Sequence, residues 1–188
     1  MSMRRPRHNM GRVRWIGVEA LGMPGQRTFR LLAYSEELSA QMWIEKEQLQ
    51  VLAQAIARML AEIDAERGVD QPLDLKKAEP GPSIPRPSDF PAQPDVDMKV
   101  GMLGLRYDPG RDLIAIEVYD LEAEEGEPPA LRCLTTREQM EALQTNTLEV
   151  IAAGRPRCPF CGTPLSVPGL PHFCPPMNGH QQLEDAGG

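Results

Sequence analysis

The chain has 188 residues, a net charge of −7, 41% hydrophobic and 25% charged residues. That is enough apolar material for a buried core and excludes a globally disordered chain. The acidic balance argues against generic nucleic-acid binding, which runs on excess Lys and Arg. No stretch approaches the roughly 18 uncharged apolar residues of a membrane span. No apolar run follows the N-terminal arginines as in a secretory signal. A cytoplasmic protein with no membrane partner is expected.

Arg4, Arg5, Arg7, Arg12 and Arg14 lie in the first fourteen residues with no acid among them, which leaves −12 on the remainder. Residues 1–12 read as a basic flexible arm, whose functional reading is contact with RNA, DNA or an acidic partner. Val13–Leu21 and Thr28–Tyr34 read as strands around the turn Met23-Pro24-Gly25-Gln26, and a third short strand falls at 40–45. Leu49, Leu52, Ile56, Met59, Leu60 and Ile63 then recur in three- and four-residue steps, which predicts a helix. Residues 13–67 thus form a first hairpin-strand-helix unit. Seven prolines between 68 and 97 remove backbone donors and predict an extended linker.

The same order returns in residues 98–154. Val100–Tyr107 and Leu113–Tyr119 flank the turn Asp108-Pro109-Gly110-Arg111, a short strand falls at 130–134, and Met140, Leu143, Thr147, Val150 and Ile151 predict a helix. Thr135 and Glu138 read as its capping box. Between the strands, 122–129 carries four Glu in a hydrated loop. The segment Trp43-Ile44-Glu45-Lys46-Glu47-Gln48-Leu49 reads like Leu134-Thr135-Thr136-Arg137-Glu138-Gln139-Met140, with a basic residue, Glu, Gln and a large apolar residue coinciding at an offset of 91. Each unit has too little apolar surface to stand alone. The expected fold is therefore α+β, with two related units sharing one core in pseudo-twofold symmetry.

The tail reads Cys158-Pro159-Phe160-Cys161-Gly162, then His172-Phe173-Cys174-Pro175. Two thiolates two residues apart, closed by Gly, aim both sulfurs at one point, and zinc takes four such ligands tetrahedrally. Cys158, Cys161, His172 and Cys174 are the expected ligands of a structural zinc, with His180 the alternative to His172. Residues 155–180 read as a small zinc-ribbon-like module and 181–188 as a flexible tail. Cys133 sits on a strand and reads as a small buried apolar residue rather than a ligand.

These end motifs, with Gly22-Met23-Pro24-Gly25-Gln26-Arg27-Thr28-Phe29, Ala153-Gly154-Arg155-Pro156 and Cys174-Pro175-Pro176-Met177-Asn178-Gly179, resemble the bacterial domain of unknown function 3090 family. The resemblance covers most of the chain. It implies a fold and a zinc tail, places His and Cys one residue apart before Pro in support of His172, and supplies no activity. The family often has Arg where this chain has Pro176.

No nucleophile elbow, phosphate-cradling loop or His-Glu-x-x-His occurs. The first expectation is a non-enzymatic binding or adaptor module with a structural zinc and a protein partner. The second is an enzyme or binder for a phosphorylated or nucleotide substrate, with Gln26 and Arg27 as an amide and a guanidinium clamp in the first hairpin. The third is nucleic-acid binding through the Arg-rich arm and the ribbon, which the net charge opposes.

Overall fold

A computed structural model describes residues 5–23, 26–67 and 90–153. The fold is α+β, with seven strands in one sheet and two helices. In chain order they are β1 (His8–Arg12), β2 (Trp15–Leu21), β3 (Thr28–Tyr34), β4 (Ser39–Ile44), α1 (Lys46–Arg67), β5 (Val96–Asp108), β6 (Leu113–Asp120), β7 (Leu131–Thr135) and α2 (Arg137–Ala152).

The strand order is β1-β7-β6-β5-β4-β3-β2. Strands β2-β3-β4 and β5-β6-β7 are antiparallel meanders, joined by the parallel pair β4·β5. Strand β1 pairs parallel with β7. The two outermost strands, β1 and β2, are separated by only Val13 and Arg14. Their successive N–H groups donate to opposite ends of the sheet, Val13 to the Leu134 carbonyl and Arg14 to the Tyr34 carbonyl, each at 2.9 Å. These two residues therefore bring the opposite ends of the sheet together.

Side chains alternate between an inner and an outer face. Phe29, Leu31 and Ala33 of β3, Ala40, Met42 and Ile44 of β4, and Ile114, Ile116 and Val118 of β6 point inward into one core. Helix α1 adds Leu49, Leu52, Ile56, Leu60 and Ile63, and α2 adds Met140 and Leu143, each from the apolar face that the sequence periodicity marks. The helices pack on each other, and Arg137 at the start of α2 grips Asp64 near the end of α1 at 2.6 and 2.9 Å, so they run antiparallel.

Strand β5 changes partners midway, bonding β4 over Val96–Lys99 and β6 over Val100–Asp108. The switch is a bulge: the register shifts between Val100 and Met102, which reverses the side-chain alternation. Gly101 occupies it because a Cβ there would lie 2.6 Å from the Asp120 carbonyl oxygen.

Both helices begin in the same way. Gln48 accepts the Glu45 N–H at 3.0 Å and donates to the Val100 and Gly101 carbonyls at 3.2 and 3.0 Å. Gln139 accepts the Thr136 N–H at 2.9 Å and donates to the Val13 and Arg14 carbonyls at 3.0 and 3.2 Å. One glutamine thus caps its own helix and ties it to the place where a strand changes partners. Gln139→Ala and Gln48→Ala are each expected to cost about 2 kcal/mol, because each strands backbone groups as well as removing the bonds. Urea unfolding of both variants and the double variant checks this, with near-additive losses expected for separated sites.

Three boundaries differ from expectation. Residues 8–12, read within the flexible arm, form β1. Only Met10 is buried there, so no alternation announces the strand, and its pairing with β7 is long-range. The linker ends earlier, since β5 starts at Val96. The capping box of α2 is Thr136 with Gln139. Thr135 is instead fully buried and donates to the Ile114 carbonyl at 2.9 Å.

Candidate functional site

Cys158, Cys161, His172, Cys174 and His180 lie outside the described residues. Among the described residues no group of three or more His, Cys, Asp or Glu side chains is gathered to hold a metal ion. Gln26 is exposed and Arg27 half-buried in the loop between β2 and β3. Neither residue lines the cavities given by the described residues.

Cys133 sits on the inner face of β7, buried among core side chains. Burial pushes its thiol up to about 12, against a smaller opposing effect of a backbone hydrogen bond from Ile116. The nucleophile is the thiolate, which is then nearly absent at neutral pH. Cys133 is expected to react with a disulfide reagent at pH 7.5 at least a thousandfold more slowly in the native protein than after denaturation. Peptide mapping of the labelled thiols reads this.

Chemistry gathers instead on the outer face of β2, β3, β4 and the start of β5. The registers set out three cross-strand rows: Trp15–Tyr34–Ser39, Gly17–Leu32–Gln41–Asp97, and Glu19–Arg30–Trp43–Lys99. The Trp15 ring lies over Gly17, where a Cβ would come within 2.5 Å of it, and is 6.2 Å from the Tyr34 ring centre to centre. Arg30 bonds Glu19 at 2.7 Å and also Gln41. Gln41 and Trp43 donate to the two oxygens of Asp97 at 3.0 and 2.9 Å. At the rim, the Ser39 hydroxyl and N–H donate to Asp95 at 2.6 and 2.8 Å and hold its carboxyl below the usual range. Beside Trp43 a shallow cavity of about 360 Å³ is walled by Asp97, Lys99, Asp120 and Glu122.

The face is thus a hydrogen-bonded platform: Arg30 pairs with Glu19, while Gln41 and Trp43 hold Asp97, and both tryptophans of the chain stand half-buried on it. Sequence reasoning missed it, although Trp15 and Trp43 at strand positions opposite the inward apolar residues were the available signal.

The other half of the outer face is basic. Glu117 of β6 is buried; Arg132 of β7 grips it with two nitrogens, and Arg106 of β5 approaches at 3.7 Å. Arg12 lies on the neighbouring strand, and Arg14 is paired with Glu36.

The chain matches the family model described as "Protein of unknown function (DUF3090)" over residues 8–174. It belongs to that family. Neither the search of curated proteins nor that of solved structures gives a match. No helix among the described residues is long and apolar enough to cross a membrane.

Proposed function

We propose that this protein is a non-enzymatic binding module whose outer face around Trp43 docks a basic segment of another protein in the cytoplasm. The observation that carries this reading is the pair of half-exposed tryptophans, with Tyr34, on a hydrogen-bonded sheet face. Trp and Tyr are enriched among the few residues that carry most of the binding energy at protein interfaces. Charge chooses the partner. Asp97, Asp120 and Glu122 outnumber Lys99 around the cavity beside Trp43, and an Arg or Lys set against an indole gains a further cation–π attraction. Tryptophan fluorescence titration with a pentaarginine probe tests it. Salt-sensitive binding, weakened at least tenfold in Trp43→Ala, is expected. No binding, or equal binding of a pentaglutamate control, overturns it.

The tail is proposed to carry one structural zinc on Cys158, Cys161, His172 and Cys174, since four such ligands fold a short segment that has no core of its own. Elemental analysis of the purified protein is expected to give one zinc per chain, lost in Cys158→Ser. A metal-free native protein removes this part of the reading.

The two β-β-β-α halves are further proposed to be related by a pseudo-twofold axis. The equivalent bonding of Gln48 and Gln139 supports it. The parallel pairs β4·β5 and β7·β1 fit the same operation.

A second reading, nucleic-acid binding, draws on Arg12, Arg106 and Arg132 across the other outer face. Glu117 already engages two of these three, which weakens it as a phosphate-binding surface.

A further inference from the structure

We propose that the groove between α1 and β5 is the seat of residues 155–174 of the same chain. In the other half of the molecule, α2 lies directly along β2, and Asn146 accepts the Val18 N–H at 2.6 Å. At the repeat-equivalent position α1 carries Ala55, which has no acceptor to offer. Helix α1 stands away from β5 there, leaving a groove of about 570 Å³. Its walls include Leu52, Met59, Leu103 and Leu105, with Val51 of α1 and Met102 of β5 also lining it at 64% and 57% exposure. Two large apolar side chains left this open on adjoining elements mark a covered surface. Beyond Lys99, β5 is bonded to β6 on one side, and no described strand lies along the other. A chain laid there gains both apolar contact and strand-edge pairing.

Position, length, charge and composition select the occupant. The helices run antiparallel with Arg137 beside Asp64. The 16 residues of α2 carry the chain about 24 Å back along α1, which brings Ala152 to the level of Gln48 and Leu49, at one end of the groove. The groove follows α1 from Glu47 to Glu62, a span of about 23 Å that roughly seven extended residues cover. The segment from 155 to 174 has residues to spare. It contains Arg155 and Arg157 and no acid, and Glu47 lines the groove at the end level with Ala152. It also holds Phe160, Leu165, Val167, Leu170 and Phe173, more apolar surface than so short a segment can bury in itself. The family match continues to residue 174, so the family that shares the sheet shares this stretch as well. A second copy is the poorer occupant, because two identical concave grooves placed face to face leave a void between them.

Photo-crosslinking of the full chain tests the assignment. Val51 and, separately, Met102 are replaced by p-benzoylphenylalanine; both sites are exposed and accept the larger side chain. Irradiation is expected to join each position to residues 155–174 within one chain, with a yield unchanged over a hundredfold range of protein concentration. Crosslinks to a second chain that grow with concentration, crosslinks confined to residues 68–89, or no crosslink at either position overturn the proposal. As a second measurement, Leu165→Glu combined with Leu170→Glu is expected to speed amide hydrogen exchange at Leu103 and Leu105 at least tenfold while leaving β3 unchanged. Unaltered exchange at both amides also counts against it.

Discussion

Arg132→Met is expected to lower the unfolding free energy by about 3 kcal/mol, the low end of the cost of leaving a buried charge without its partner. The Glu117 side chain is only 8% exposed, and Arg132 supplies its two closest bonds from the adjacent strand. Coulomb attraction at this depth offsets the loss of hydration only while the partner stays in place. The loss sits at the low end because Arg106 remains 3.7 Å away. Such a loss is a large fraction of the 5–15 kcal/mol by which ordinary domains are stable. Glu117→Leu combined with Arg132→Met removes both charges and is expected to regain most of it. Urea midpoints of the wild type, both single variants and the double variant form the cycle that reads the coupling. Additive losses would mean that the pair is not coupled.

Gly101→Ala is expected to cost about 3 kcal/mol or more. The new methyl group would meet the Asp120 carbonyl oxygen at 2.6 Å and the Leu121 Cα at 2.9 Å. Both are backbone atoms of the strand end opposite, so relief requires the bulge itself to open. Gly104→Ala is the control. Three residues along the same strand, its Cβ meets nothing closer than 3.7 Å, and a small effect of either sign is expected. Thermal unfolding of the two variants separates them, and equal midpoints would contradict the role assigned to Gly101. Gly17→Ala should fall between the two, because its obstacle is the movable Trp15 ring rather than main chain.

The elements were largely legible in the sequence. The apolar spacing from Leu49 to Ile63 marks the buried face of α1, and the alternation in Leu113–Asp120 gives β6 with its inward Ile114, Ile116 and Val118. The repeat at offset 91 pairs Gln48 with Gln139, and those two glutamines make matching bonds in the folded chain. Strand β1 was not legible, because a five-residue stretch with one buried apolar side chain carries no period. The candidate site was legible only in part. Cys133 was correctly read as a core residue, whereas the face holding Trp15, Tyr34 and Trp43 is assembled from three strands whose registers no local pattern specifies.

What the amino-acid order determined by itself is therefore local: which segments are strands and helices, which face of each is apolar, and that the plan occurs twice. These follow from side-chain period and turn chemistry, which act over a few residues. Tertiary structure alone decided the meeting of the sheet's opposite ends at Val13 and Arg14, the change of partners at Gly101, the carboxylate of Glu117 held between strands, and the groove that α1 leaves beside β5. Each depends on groups far apart in the chain meeting at one register, and only the packing of the whole core sets that register.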